Sequence, residues 1–296
     1  MFTIRKIRKS HKERILAISS KIWEGDDYVT SIFEKWIDDE KGEFTGIWLN
    51  NQLVGFGKLT FITPTDVWLE GLRKDLCLEQ KGVGSALTKY YLERLKQEPN
   101  LTSIRFATYF QNYASIKLSE RLGFELVAKL SLKEFDLNIY KKEIKKPENV
   151  KDISNKEIIL DYIHKSKWFE LFKNFITIGW IAYPYSDDFI AERFIKQNRC
   201  YGIIEKNEIK GLILWGKAHS KVSLKISFFD AKDNEKAKNL FVFIKSYAIS
   251  QGYENIEAML PDIPRVKKYF KENGFKSWAQ EHDFLIYEFP LQKLEK

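Results

Sequence analysis

The chain has 296 residues, a formal net charge of +8, 44% hydrophobic and 15% aromatic content. That length is comfortable for two domains of ordinary size, and the apolar content supplies a core for each. No run approaches the about eighteen apolar residues of a membrane span, and the opening MFTIRKIRKSHKER lacks the apolar segment of a secretory leader, so a cytoplasmic protein without membrane partners is expected.

Cys77 and Cys200 are the only cysteines and lie far apart, which argues against a disulfide framework. His11, His164, His219 and His282 show no metal-ligand spacing, so no metal is expected. The lysines are interleaved with Glu and Asp, with one local cluster at YKKEIKKPENVKD. No reader motif accompanies the charge, and no nucleic-acid partner is expected.

In chain order, the first half reads as a strand at 2–7, a helix through HKERILAISSKIW, and a second helix, TSIFEKWIDDE, with Ile32, Trp36 and Ile37 at helical spacing. A hairpin, GIWLNNQLVG, follows, then a strand, DVWLEGLRKDL. A glycine turn opens a helix with Val83, Leu87, Tyr91 and Leu95 on one face. The strand SIRFATYF, a helix from Ala114 to Leu122 and a closing strand, KEFDLNIY, complete the set. Residues 140–152 are polar and contain Pro147, as a linker or a last edge strand with a linker would.

The second half repeats two landmarks in the same order. GIIEKNEIKG aligns without gaps on GIWLNNQLVG, and RVKKYFKENGFKS matches SIKLSERLGFE as a short helix closed by Gly and Phe. One α/β fold used twice is expected, a mixed, mostly antiparallel sheet flanked by helices, with domains at 1–145 and 146–296.

The segment KGVGSAL follows a strand and opens an amphipathic helix. Amides of the first helical turn and the helix dipole then converge on one spot, and Gly82 and Gly84 clear side chains from it. Gln80, Lys81, Gly82, Val83, Gly84 and Ser85 are the candidate phosphate cradle; the plainer reading is an ordinary strand-to-helix turn. Glu79 stands at its mouth, an anion where an anion is to bind.

EQKGVG and QNYASIKLSERLGFE together resemble the GCN5-related N-acetyltransferase (GNAT) family, over about residues 1–145. The first carries the glycines of the family's Q/R-x-x-G-x-G/A loop, with Glu79 in the place of Gln or Arg. The second keeps Asn112, Ser115, Gly123 and Phe124 of a further family segment, but Ser119 replaces its tyrosine. WLEGLRK is similar to a run found in the family's histidine N-acetyltransferase-like group.

The resemblance implies acetyl-CoA as cofactor, with pantetheine along the backbone of Leu72, Arg73 and Lys74, pyrophosphate on the amides of 80–85, and Asn112 hydrogen-bonded to the cofactor. A backbone amide near Leu72 would polarise the thioester carbonyl. The acceptor, a primary amine of a small molecule or amino acid, must lose a proton before it attacks. Glu70, flanked by Trp68 and Leu72, is the candidate base, and an ion pair to Arg73, Arg105 or another cation is the equal alternative. Ser119 is a poor acid for the departing thiolate, leaving water, Tyr109 or Tyr113 as substitutes. The second half has no glycine cradle, and Asp230, Asp233 and Glu235 crowd the equivalent turn, so a degenerate domain without cofactor is expected. The aromatic run GWIAYPYSDDF is read as packing before pocket lining. A non-catalytic acetyl-CoA-binding module is the alternative function, and the sequence does not indicate the oligomeric state.

Overall fold

A computed structural model describes residues 1–25, 27–139, 145–172, 174–217 and 222–294. The elements of the first half are β1 (Phe2–Lys6), α1 (Lys12–Ser19), α2 (Val29–Ile37), β2 (Glu43–Leu49), β3 (Gln52–Phe61), β4 (Asp66–Lys74), α3 (Val83–Leu95), β5 (Ser103–Tyr109), α4 (Tyr113–Arg121) and β6 (Glu125–Asp136). Those of the second half are β7 (Lys151–Asp152), α5 (Lys156–His164), α6 (Lys167–Phe172), β8 (Phe175–Ile178), β9 (Ile181–Pro184), α7 (Asp187–Ile190), β10 (Cys200–Glu205), β11 (Glu208–Gly216), β12 (Ser223–Ala231), α8 (Asn234–Ser250), β13 (Asn255–Leu260), α9 (Pro264–Glu272), β14 (Lys276–Ser277) and β15 (Phe284–Glu288). Part of the polar cluster, 140–144, lies outside the described residues.

The two hairpins form as the sequence indicates. Leu49 pairs with Gln52 and Glu205 with Glu208, leaving two-residue loops. Asn50 and Asn51 (φ 48° and 64°) and Lys206 and Asn207 (φ 51° and 63°) are all left-handed, the twist that lets antiparallel strands reverse in two residues. The Gly-Phe helix ends match as well: Phe124 N donates to Ser119 O at 3.0 Å, and Phe275 N to Phe270 O at 3.0 Å.

Two compact units emerge, interleaved in sequence. The first comprises residues 1–108, 112–127 and 286–296; the second comprises 109–111 and 128–285. A single cut near residue 145 therefore does not separate them. The strand read as closing the first domain enters the second unit instead, where β6 pairs antiparallel with β13 from Ser131 to Asp136. The first unit is closed by the C-terminal segment. β15 lies beside β5, Phe289 N donates to Ile104 O at 2.8 Å, Tyr287 stacks on Phe106 with centroids 5.4 Å apart, and Arg105 pairs with Glu288.

Within the first unit the strands run β1-β2-β3-β4-β5-β15. One face packs on α1 and α2 through Ile15, Ile18, Phe33, Trp36, Phe44 and Phe56, and the other carries α3 through Val83 against Ile47 and Val54. Leu87, Tyr91 and Leu95 complete the buried face of α3, at the predicted spacing. The second unit is also two-sided. Adjacent residues of β12 serve opposite layers: Phe228 packs on Trp168 of α6 at 5.3 Å, while Phe229 stacks on Phe241 of α8 at 4.4 Å.

Candidate active site

The site forms where β4 loses regular pairing on both sides. On one side β4 runs parallel to β5 for Asp66, Val67 and Trp68, and no pair of the two strands follows Trp68–Arg105. On the other, Glu70 pairs with Lys58 and Arg73 with Phe56, so Gly71 and Leu72 face the single residue Gly57 across a β-bulge. Gly71 has φ +63°, and an added Cβ would strike the ring of Trp36. Only glycine meets both demands.

The bulge changes the phase of the strand. Residues three apart in a regular strand point to opposite faces. Here both Glu70 and Arg73 turn toward the α1 and α2 side, while Leu72 lies against Gly84 and Leu118 on the other. Beyond the bulge Asp75 N donates to Val54 O at 2.9 Å. Alternation in an antiparallel ladder then directs the main chain of Arg73 at β3 and that of Leu72 and Lys74 at the open edge. The backbone positions expected for pantetheine thus reduce to Leu72 and Lys74.

Beside this edge begins α3. Its N-cap is Gly82 at φ 86°, with no side-chain cap, and the first intrahelical bond runs from Ala86 N to Gly82 O at 2.9 Å. The amides of Val83, Gly84 and Ser85 precede that bond and have no helical carbonyl to meet. At Gly82 an added Cβ would find only Phe2, at 3.7 Å; at Gly84 it would press Leu118 at 3.0 Å and Leu72 at 3.4 Å. Gly82 keeps the turn open, and Gly84 lets α3 close on β4 and α4. Glu79 is exposed, Lys81 is exposed, and Gln80 Nε2 donates to Lys81 O at 3.0 Å.

Asn112 caps α4: its Oδ1 accepts the Ser115 amide at 3.2 Å, which leaves the carboxamide NH2 to donate. Ser119 is buried and its hydroxyl donates to Ser115 O at 2.8 Å within the same helix, so it offers no proton to the site. Tyr113 is 63% exposed, and Tyr109 belongs to the second unit, where it packs on Trp278 at 4.9 Å.

Glu70 is half-buried, with Oε1 accepting the Thr60 hydroxyl at 2.6 Å. Burial raises its carboxyl above the usual carboxylate range, against the pull of Thr60, Lys58 and Lys35. Of the cations expected as ion-pair partners, Arg73 is engaged by Asp27 and Arg105 by Glu288. Lys58, opposite Glu70, is fully buried and pairs with Asp39.

Sequence reasoning missed Asp27, Trp23 and Tyr28, on the connection from α1 to α2. Asp27 is held by both ends of the Arg73 fork, at 3.0 and 2.9 Å, and by the Ser19 hydroxyl at 2.5 Å. The guanidinium lies 4.6 Å from the Trp23 ring and 5.5 Å from that of Tyr28. Tyr28 exposes 39% of its surface, yet its hydroxyl end is buried beside Glu70, and that burial raises the phenol far above its ordinary range. The local signal was slight: Gly25 and Asp27 stand between the two segments that read as helices, in no pattern that marks a site.

The second unit shows the opposite arrangement at its equivalent turn. Asp233 Oδ1 caps α8 through Lys236 N at 2.9 Å, and Asp230 is bonded by Arg265 Nη2 at 2.6 Å. Carboxylates stand where the first unit has bare amides.

The site thus joins a sheet opened at a bulged strand to the uncapped start of a helix, within a mixed α/β domain. Residues 10–124 match the Acetyltransferase (GNAT) family, and the chain carries a domain of that family in its first half. Over nearly its whole length the chain is similar in fold to a GCN5-related N-acetyltransferase from Sphaerobacter thermophilus, with TM-score 0.65 at 10% identity, covering 97% of this chain and 95% of that one. A tandem GNAT protein from the clavulanic acid biosynthesis pathway is similar too, with TM-score 0.61 at 9% identity and coverage of 97% and 98%. The likeness at such identities is one of fold. None of the curated proteins matches the sequence. Among the described residues no helix is long and apolar enough to cross a membrane.

Proposed function

We propose that the first unit transfers an acetyl group from acetyl-CoA to a primary amine of a small molecule or amino acid, and that the second unit holds no cofactor. The observation that carries this is the uncapped start of α3 lying against the open edge of β4, with Glu70 at the head of that edge. Anions settle on such helix starts because several amides and the helix dipole act together. When bound, acetyl-CoA supplies an acyl group activated as a thioester.

The residues divide the remaining work. Val83, Gly84 and Ser85 would hold phosphate oxygens with their amides, with Gln80, Lys81 and Gly82 shaping the turn. Leu72 and Lys74 would pair with the pantetheine amides along the strand edge, and the Asn112 carboxamide would donate to the same arm. Glu70 receives the proton that the acceptor ammonium gives up; Thr60 occupies Oε1, which leaves Oε2 for that proton. A carboxylate whose affinity for protons is raised by burial suits the task.

The commitment of Ser119 to its own helix favours a second reading, a module that binds acetyl-CoA without turning it over. Thiol release separates the two. Incubation of the full chain with acetyl-CoA and a broad panel of primary amines should liberate free CoA with at least one acceptor. Tight acetyl-CoA binding with no thiol released across the panel would establish the binding module instead.

A further inference from the structure

Asp27 is a carboxylate with no exposed side-chain surface, on the connection between α1 and α2. Burying such a group is costly unless it is paired and fully hydrogen-bonded, and a surface loop has no folding need for one. Here every bond it makes has a defined direction. Two come from Nε and Nη2 of Arg73, the bidentate fork that fixes orientation as well as distance. The third comes from Ser19, the last residue of α1.

The backbone leading to it is unusual as well. Trp23, Glu24 and Gly25 are all left-handed, at φ 48°, 58° and 97°. Two non-glycine residues in that region cost free energy that the surrounding contacts must offset. Trp23 and Tyr28 stack with centroids 6.5 Å apart, and both lie over the Arg73 guanidinium.

Arg73 makes one more bond: Nη1 donates to the Leu72 carbonyl at 3.2 Å. That carbonyl belongs to the stretch of β4 that has no partner strand on its β5 side. A strand end paired on one side only, next to a bulge, is otherwise freer to fray. We propose that Asp27 is a positioning residue for the cofactor's pantetheine arm: acting through Arg73, it holds the open edge at Leu72 and Lys74 in the extended form that the arm pairs with. This rests on the reading of the first unit as an acetyl-CoA site. The carbonyl keeps a second lone pair for a ligand amide, so the brace and the cofactor do not compete.

The brace and the phosphate cradle are separate parts of the unit, and that separation gives the test. CoA and 3′-phospho-ADP, which keeps the pyrophosphate and lacks pantetheine, are titrated calorimetrically into the full chain. Asp27→Asn is expected to weaken CoA about tenfold, the loss of a preorganised edge, and to leave 3′-phospho-ADP within about twofold. Arg73→Lys, which keeps the charge and loses the fork, should show the same selective loss, and Ser19→Ala a smaller one in the same direction. These two variants carry the test if Asp27→Asn does not fold. Equal weakening of both ligands, or of neither, overturns the proposal. A wild-type chain that takes up neither ligand overturns the cofactor reading, and the proposal with it.

Discussion

Glu70 owes its candidacy to its surroundings more than to its type. Its pairing partner Lys58 is committed to Asp39, and its proton affinity is raised chiefly by burial. Because the raised group must be ionised to act as a base, activity should fall as pH drops through a value above the ordinary carboxylate range. Glu70→Gln should remove that acidic limb and lower kcat by roughly a hundredfold, with little change in acetyl-CoA affinity. A fully active Gln variant returns Glu70 to a structural role. Glu79 poses the opposite case, an exposed carboxylate at the mouth of an anion site. The amides proposed to hold the phosphates lie beyond it, so on that proposal it handicaps binding without preventing it. Glu79→Gln should tighten CoA about two- to fivefold at low salt, and the gain should shrink as salt is added. Weaker binding at both ionic strengths would mean that Glu79 makes a bond of its own to the loop. Glu70, the glycines and Asn112 could be read from the sequence because each sits inside a short local pattern. Asp27 could not, since its meaning depends on an arginine far along the chain.

At the scale of the element, β4 and the helix starts decide where a ligand fits. The bulge at Gly71 brings Glu70 and Arg73 to one face and leaves the strand edge bare. Gly71→Ala forces a left-handed alanine against Trp36 and should destabilise the first unit by about 1–3 kcal/mol in denaturant titration. An unchanged midpoint would show that β4 relaxes around the side chain. The two helix starts form a matched contrast, glycine at α3 and Asp233 at α8. Asp233→Ala should cost about 1 kcal/mol as a lost N-cap, and it should create no second CoA site because Asp230 and Arg265 remain. Appearance of CoA binding in that variant, with the first site blocked, would refute the account of degeneracy. Hairpins and helix ends were legible to the residue, because the Asn-containing turns and the Gly-Phe ends have local causes. The bulge was not, since EGLRK reads as unbroken strand and the shift shows only in the register with β3. The first helix was read to Trp23, whereas α1 ends at Ser19, whose hydroxyl donates to Asp27, a contact that local patterning does not show.

The whole molecule is two units that exchange their closing segments. Residues 128–136 of β6 belong to the second unit and residues 286–296 to the first. Patterning along a strand tells which face is buried; it does not tell which neighbour the strand joins, so this exchange was invisible in the sequence. A fragment of residues 1–145 lacks Tyr287, Glu288 and Phe289, which stack on Phe106, pair with Arg105 and pack on Phe124. It should fail to give a cooperative unfolding transition alone, and a peptide of residues 284–296 supplied in trans should restore one. A cooperative fragment with unaltered stability would show that the exchange is dispensable. The central claim is that one cofactor site exists per chain and that the α3 start forms it. Calorimetric titration of CoA into the full chain measures this most directly. The expected stoichiometry is one per chain, with affinity reduced at least about tenfold by Gly84→Leu and unaffected by Lys236→Leu at the start of α8. Two sites per chain, or equal losses from the two substitutions, would contradict it.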